Sequence, residues 1–368
     1  MKIPFFIQEF TDEMEEAAIH ALRNESFVGG ESVSKFEEEF AQYIGTKYAV
    51  SVSSGNSALQ ISLMALGLSR EYFESKKNTI ITPTNSFIAS ANCIRMCNSF
   101  PLLADVKMED GEIDMENRKI SGENSYRSWK DATGIIPVHI YGNPCDFDSV
   151  KSFADEQNIP IIEDACQAHG AEYKGKKVGS LGDVGCFSFY PTKNMTVGGD
   201  GGMTTTDNEE TALEIKSIRD NGRKTKNEFD KIGFTMRLNT VNAAIGRVQL
   251  KHLDEKTARR REIVSIYRKN LAQDCILPEN KDGKSVYHQI VVKHEKRDEI
   301  RKELANNEIG SAIYYETPIH KQPIYELYDY ELPNSEKFSK LILSLPSYPQ
   351  LTNDQALEIC EHVNKVIG

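Results

Sequence analysis

The residues best suited to chemistry lie between positions 187 and 202. The run Phe187-Ser188-Phe189-Tyr190-Pro191-Thr192-Lys193-Asn194 sets a lysine just past a mostly apolar strand and behind a proline, and Gly198-Gly199-Asp200-Gly201-Gly202 follows it. An amine so placed can attack a carbonyl or move a proton. A lone lysine in a turn ordinarily lies in solvent, so the case for Lys193 rests on what the chain puts beside it. Three other groups qualify. Asp164 closes the strand-like run at 159–163, and Phe87 follows the strand-like run at 79–82. Ser54-Gly55-Asn56-Ser57 joins a strand at 47–53 to a helix at 58–66, and backbone N–H groups at such a helix start bind phosphate.

The elements that must position these residues alternate. Thr11 to Arg23 reads as a capped helix with acidic residues in its first turn. After Gly29-Gly30, Ser32 to Ile44 reads as a second helix, with Phe36, Phe40 and Tyr43 at helical spacing. Further helices are expected at 88–97, 146–157 and 209–219, and further strands near 102–105, 134–140 and 184–189, while 107–131 is polar and without period. Strands alternating with helices imply right-handed crossovers and a mainly parallel α/β sheet flanked by helices. Ligands bind such sheets beyond the carboxyl ends of the strands, where Ser54 to Ser57, Phe87, Tyr141, Asp164 and Lys193 all fall. From Thr240 to Leu271 apolar residues keep helical spacing across a charged middle, which predicts one long helix bridging two domains. Beyond it, strands at 287–292 and 310–315 and helices at 296–308 and 352–367 suggest a smaller α+β domain. The expected division is 1–250 and 251–368.

Composition narrows the function. The 368 residues carry 44 Lys and Arg against 55 Asp and Glu, a net charge of −11, so no overall positive field exists to hold nucleic acid. The N-terminal run Met1 to Gln8 is too short for a signal peptide, and no stretch of 18 uncharged apolar residues occurs. A cytoplasmic protein without a membrane partner is expected. Seven scattered cysteines do not form a disulfide framework, and Cys93 with Cys97 lacks a second pair at zinc-ligand spacing. They read as buried small apolar residues, and no metal site is expected.

Taken together, a lysine, an acid, a phosphate-competent turn and an aromatic ring on one sheet edge are the parts that pyridoxal 5'-phosphate requires. The lysine forms a Schiff base, the acid keeps the pyridine nitrogen protonated, the turn holds the phosphate and the ring stacks.

The sequence around these residues resembles the DegT/DnrJ/EryC1/StrS family of sugar aminotransferases. The resemblance is carried by Glu163-Asp164-Ala165-Cys166-Gln167-Ala168-His169-Gly170-Ala171, by Phe187 to Asn194 and by Gly199 to Met203. Val52-Ser53-Ser54-Gly55, His139-Ile140-Tyr141-Gly142, Asn242-Ala243-Ala244, His320-Lys321-Gln322-Pro323 and Ser344-Leu345-Pro346 extend it over almost the whole chain.

The resemblance implies a fold-type I, aspartate aminotransferase-like enzyme that moves an amine from L-glutamate to a keto-sugar carried on a nucleotide. It implies that Lys193 holds the cofactor and shuttles the proton, that Asp164 pairs with the pyridine nitrogen, and that Gln167 contacts the ring hydroxyl. Phe87 would stack on the ring, and Ser188 with Gly55-Asn56-Ser57 would hold the phosphate. His169, Tyr315 and His320 become candidates for touching the sugar. A homodimer with shared sites is implied as well. Where relatives often have threonine this chain has Asn56. Where many carry the asparagine that reaches the partner's phosphate it has Thr235, which leaves Thr235 or Arg237 for that contact. Relatives that dehydrate deoxysugars replace the lysine by histidine, so Lys193 favours transamination over a dehydratase. A cyclitol- or aminobenzoate-type relative is a further alternative, and a non-catalytic regulatory protein on the same fold would have a decayed site.

Overall fold

The structure is a computed structural model that describes residues 2–69, 78–118 and 128–368. Met1 of the N-terminal run and residues 119–127 of the polar stretch lie outside the described residues.

Helix α1 (Asp12–Asn24) begins where the Thr11 hydroxyl accepts the Met14 N–H, with Asp12, Glu13 and Glu15 at the positive end of its dipole. Helix α2 (Glu31–Ile44) ends at Gly45, whose φ of 90° favours glycine. Phe36 and Phe40 on its inner face are wholly buried, while Tyr43 remains partly open and donates its hydroxyl to Asp254. The alternating middle of the chain then gives β1 (Tyr48–Val52), α3 (Gly55–Ala65), β2 (Thr79–Pro83), α4 (Ala89–Met96), β3 (Phe100–Ala104), β4 (Gly134–Ile135), α5 (Phe147–Gln157), β5 (Ile162–Asp164), β6 (Val184–Ser188), β7 (Gly202–Thr206) and α6 (Glu209–Ile218).

The ladders β3-β2-β4 and β5-β6-β7-β1 are joined by parallel bridges from Ile135 to Ile161 and from Val138 to Asp164. The resulting sheet is parallel except at β7, which runs antiparallel to both β6 and β1. No helix intervenes between β6 and β7, so the chain returns alongside the strand it has just left. Side-chain alternation sorts the two faces. Val50, Val52, Ile162, Val184 and Cys186 share a core with residues of α3, α4 and α6. Ala49, Phe187 and Met203 pack with α2 and with α7 (Thr240–Lys251). Both faces are therefore covered, as a parallel sheet requires.

Several expected elements differ in extent. The helix foreseen over 240–271 is broken at His252, which leaves helical geometry with φ −99° and ψ 2°, and α8 (Leu253–Asn270) follows. Buried residues of α7 face α1 and α2, while Ile263, Val264 and Tyr267 of α8 belong to another core, with Ile290, Val292, Leu343, Leu345 and the helix Asn353–Ile367. One straight helix could not point both stripes correctly. The strand foreseen at 310–315 reduces to a single bridge, Ala312 to Ser344, and the Tyr314 carbonyl accepts the Tyr141 hydroxyl at 2.5 Å. The strand at 287–292 starts only at Ile290, since Tyr287 is left-handed at φ 47°, and it pairs antiparallel with Ile342–Leu345. Among the described residues, no helix is long and apolar enough to cross a membrane.

Candidate active site

Asp164 ends β5 in register with Cys186 of β6, on the sheet face that packs against α3 and α4. Its carboxylate is buried, and each oxygen accepts one hydrogen bond. Oδ2 accepts the Ser90 hydroxyl at 2.7 Å, and Oδ1 accepts the Cys166 N–H at 3.2 Å. Neighbouring Glu163 points to the other face. There it accepts the N–H groups of Gly179, Leu181 and Gly182, each at 2.7 Å, and faces His139 Nε2 at 3.1 Å. His139 Nδ1 accepts the Cys145 N–H, so its proton sits on Nε2 and is donated to Glu163.

Ser188, at the end of β6, stands against the start of α3. A Cβ on Gly55 would lie 2.6 Å from Ser188 Cβ and 2.9 Å from Cys166 Sγ, so only glycine lets the helix approach this closely. Gly202 holds the same seam from β7, where a Cβ would meet the Ser54 carbonyl oxygen at 2.4 Å. The Ser54 hydroxyl accepts the Ser57 N–H at 3.0 Å, so that donor is already used. The Gly55 and Asn56 N–H groups have no partner among the described residues. The Asn56 side chain donates to Met96 Sδ at 3.6 Å. An anion resting between Ser188 and α3 would meet these two N–H groups at the positive end of the helix.

Lys193 is half-buried on the turn after β6, which the bond from its own N–H to the Tyr190 carbonyl closes at 2.8 Å. Asn194 anchors the turn by donating to the Val286 carbonyl. Among the described residues the Lys193 amine has neither a hydrogen bond nor an ion pair. Burial lowers its proton affinity below that of an ordinary lysine, against the opposing influence of Cys166 and Asp164. The result is an amine biased toward its neutral, nucleophilic form, within electrostatic reach of a carboxylate it does not bind.

Gln167 is buried and oriented at both ends, accepting the Tyr141 N–H at 2.9 Å and donating to the Tyr315 hydroxyl at 3.2 Å. One N–H of its amide remains for a ligand. Phe87 is 57% exposed, and its ring centroid lies 6.3 Å from that of Tyr315. Asp164, Gln167, Ser188, Gly55, Asn56, Phe87, Tyr315 and Lys193 are thus brought to one sheet edge. An unpaired amine, a carboxylate held as an acceptor, unclaimed N–H groups at a helix start and an open ring fit an aromatic aldehyde bearing a phosphate.

The remaining candidates stand apart. His169 is fully buried against Phe187 and Phe189, and neither ring nitrogen has a hydrogen-bond partner among the described residues. Burial, helped by the Lys193 charge, pushes its pKa down to about 3, so the ring is neutral. His320 is buried too. Its N–H donates to Thr84 Oγ1, whose proton goes to His320 Nδ1 at 2.8 Å, leaving Nε2 to face Glu336 at 3.3 Å. Both histidines are bound into the protein, and neither is presented to the open edge. Thr235 is exposed and donates to Asn221 Oδ1, and Arg237 forms an ion pair with Asp220. Neither touches this chain's own cluster. Sequence reasoning did not find Ser86, Ser90 and the His139–Glu163 pair, because Ser90 meets Asp164, and His139 meets Glu163, only between elements distant in sequence, and Ser86 matters only through Ser90.

The profile of the DegT/DnrJ/EryC1/StrS aminotransferase family matches residues 8–364. A dTDP-3-amino-3,6-dideoxy-alpha-D-galactopyranose transaminase of Aneurinibacillus thermoaerophilus is 35% identical over 361 residues, covering 97% of this chain and 96% of that protein. The structure of DesV from S. venezuelae in complex with a ketimine intermediate superposes with a TM-score of 0.89 at 32% identity, over 96% of this chain and 94% of that one. NtdA of Bacillus subtilis, solved with the cofactor PMP bound, superposes with a TM-score of 0.85 at 28% identity, over 99% and 85% of the two chains. With its site residues gathered at one edge of the same fold, the chain belongs to the DegT/DnrJ/EryC1/StrS aminotransferase family.

Proposed function

We propose that this aminotransferase uses pyridoxal phosphate to transfer the amino group of L-glutamate to a keto-sugar carried on a nucleotide. The observation that carries the reading is the Lys193 amine, without a partner among the described residues, within electrostatic reach of the fixed Asp164 carboxylate and of Cys166, which lines the seam of Gly55 and Ser188. The sugar-nucleotide transaminase and the cofactor-bound structure among its relatives support it.

Pyridoxal phosphate, when bound, supplies the electron sink that lets an amine pass between an amino acid and a ketone. The chain supplies the rest. Lys193 Nζ takes and returns the proton, which its lowered proton affinity suits it to do. Asp164 presents a negative carboxylate to the ring nitrogen, and Gln167 presents its remaining N–H to the ring oxygen. Ser188 and the Gly55 and Asn56 N–H groups receive the phosphate, with Ser57 holding the cap in shape. Phe87 gives the ring a flat surface. Tyr315, next to both Gln167 and Phe87, is the contact to the sugar on this reading, and His169 and His320 have no direct part in it.

The reading includes a homodimer in which Thr235 or Arg237 reaches the site of the partner. Phe27, Val28 and Ile232, exposed near that segment, support a covered face there. It also divides the chain at 250/251 into a cofactor-binding and a smaller domain, and it places the enzyme in the cytoplasm.

The test is Lys193→Ala. The purified variant should lack the visible absorbance of the bound cofactor and should not turn over. Wild-type enzyme should bleach in that band on addition of glutamate, then recover it with one member of a panel of nucleotide-linked keto-sugars. A Lys193→Ala protein that keeps both its colour and its turnover would end this reading.

A further inference from the structure

The turn after β2 carries more than Phe87. Ser86 and Ser90, 3% and 1% exposed, have hydroxyl oxygens 2.8 Å apart, and Ser90 Oγ lies 2.7 Å from Asp164 Oδ2. An ionised carboxylate only accepts hydrogen bonds, so the Ser90 proton points at Asp164. The Ser90 oxygen is then left as an acceptor, and Ser86 donates to it. The order Ser86 to Ser90 to Asp164 follows from the chemistry of the last group alone. We propose that Ser90, supported by Ser86, is a positioning residue that fixes the rotation of the Asp164 carboxylate and ties it to the turn carrying Phe87.

The proposal rests on the reading of Asp164 given above. A carboxylate rotates about its Cβ–Cγ bond, and one contact does not stop it. The contact from its own loop is the longer one, Cys166 N–H to Oδ1 at 3.2 Å. Ser90 adds a second point from a different element, which sets the plane of the group. A serine in the first turn of a helix commonly bonds back to its own helix. Here the hydroxyl reaches across to β5 instead, while the Ser90 N–H is held by the Phe87 carbonyl at 3.1 Å. The Ser90 hydroxyl and the backbone that carries Phe87 therefore belong to one hydrogen-bonded turn.

The experiment compares Ser90→Ala, Ser90→Thr and Ser86→Ala in the full chain, each stripped of cofactor and titrated with pyridoxal phosphate. Loss of a hydrogen bond to a charged group corresponds to a rise in the cofactor dissociation constant of about tenfold for Ser90→Ala. The pH titration of the visible band of the bound cofactor should shift in the same variant. Ser90→Thr, which keeps the hydroxyl, should restore both, and Ser86→Ala should move both in the same direction by less. Unchanged affinity and an unchanged titration in Ser90→Ala, with only the melting temperature lowered, would show a merely structural bond and overturn the proposal. Should Ser90→Ala not fold, Ser86→Ala decides alone: no change in either readout overturns it. A Lys193→Ala protein that keeps both its colour and its turnover would remove the underlying reading instead, so the two failures are distinguishable.

Discussion

Gly55→Ala is the substitution whose effect the geometry fixes most tightly. The new Cβ would lie 2.6 Å from Ser188 Cβ, 3.2 Å from Ser188 Cα and 2.9 Å from Cys166 Sγ, where ordinary contact starts at 3.4 Å. None of these atoms is the free end of a long side chain, and Ser188 lies on β6, paired with β5 on one side and β7 on the other. The strand cannot retreat, so the start of α3 must move outward by about 0.8 Å, the shortfall at Ser188 Cβ. Alanine itself favours a helix over glycine by about 1 kcal/mol, so the fold should survive. The casualty is the phosphate seam. A hydrogen bond near 2.9 Å that lengthens by that amount passes beyond useful range, and each one lost to a dianion removes about 1.5–3 kcal/mol. The dissociation constant for pyridoxal phosphate should rise about 10- to 100-fold, measured by fluorescence titration of the apo protein, with the melting temperature of that apo protein nearly unchanged. Gly199→Ala is the control, because its Cβ would meet only Asn242 Nδ2, at an ordinary 3.4 Å. Equal affinities for Gly55→Ala and the control would refute the reasoning.

Two further predictions test charge. Burial depresses the Lys193 pKa below its ordinary 10.5, so the unfolded chain binds a proton that the folded one resists. Stability lost this way is constant below the folded pKa, recovers as pH rises through the window between the folded value and 10.5, and is fully restored above it. Cofactor-free Lys193→Met should therefore be more stable than cofactor-free wild type near about pH 8 and converge with it above about pH 10.5, as urea unfolding will show. A difference independent of pH would contradict the sign. Glu163→Gln should destabilise the protein by about 3–5 kcal/mol, the usual loss when one partner of a buried charged network is removed. Either orientation of the new amide turns an NH2 toward N–H donors, at Leu181 and Gly182 or at Gly179 and His139. A loss below about 1 kcal/mol in denaturant unfolding would mean that these donors find other partners.

The sheet edge was legible because period and punctuation mark where strands stop, and Asp164, Lys193, Phe87 and the turn at 54–57 all follow strand ends. What remained hidden depends on pairing between distant segments. Ser90 and Asp164 are 74 positions apart, and nothing local distinguishes Ser90 from any other small residue in a helical first turn. The break at His252 was invisible for a different reason. The apolar spacing of Val241, Ile245 and Val248 and that of Ile263, Tyr267 and Leu271 are each helical, and only the separate cores they serve require a change of direction. His320 shows the opposite case. A histidine in a polar turn near a site invites a ligand role, yet Thr84 and Glu336, remote in sequence, take both its nitrogens.

The adjacent carboxylates of β5 show how little separates scaffold from chemistry in this fold. Alternation along an extended strand sends neighbours to opposite faces, so Glu163 and Asp164 cannot share an environment. Glu163 is committed on its face by three backbone donors and His139, which pins the loop at 179–182 and leaves it no part in binding. Asp164 reaches the face of α3 and α4, where one hydroxyl and one N–H hold it and acceptor capacity remains. A slip of one residue in the pairing of β5 with β6 would exchange the two. It would bring Glu163 to the Ser90 side and Asp164, one methylene shorter, to a loop it could not span. The register that pairs Asp164 with Cys186 is thus a condition of the chemistry as much as of the fold, and the tight packing of Gly185 against Gly179, where a Cβ would meet Gly179 Cα at 2.4 Å, helps to enforce it.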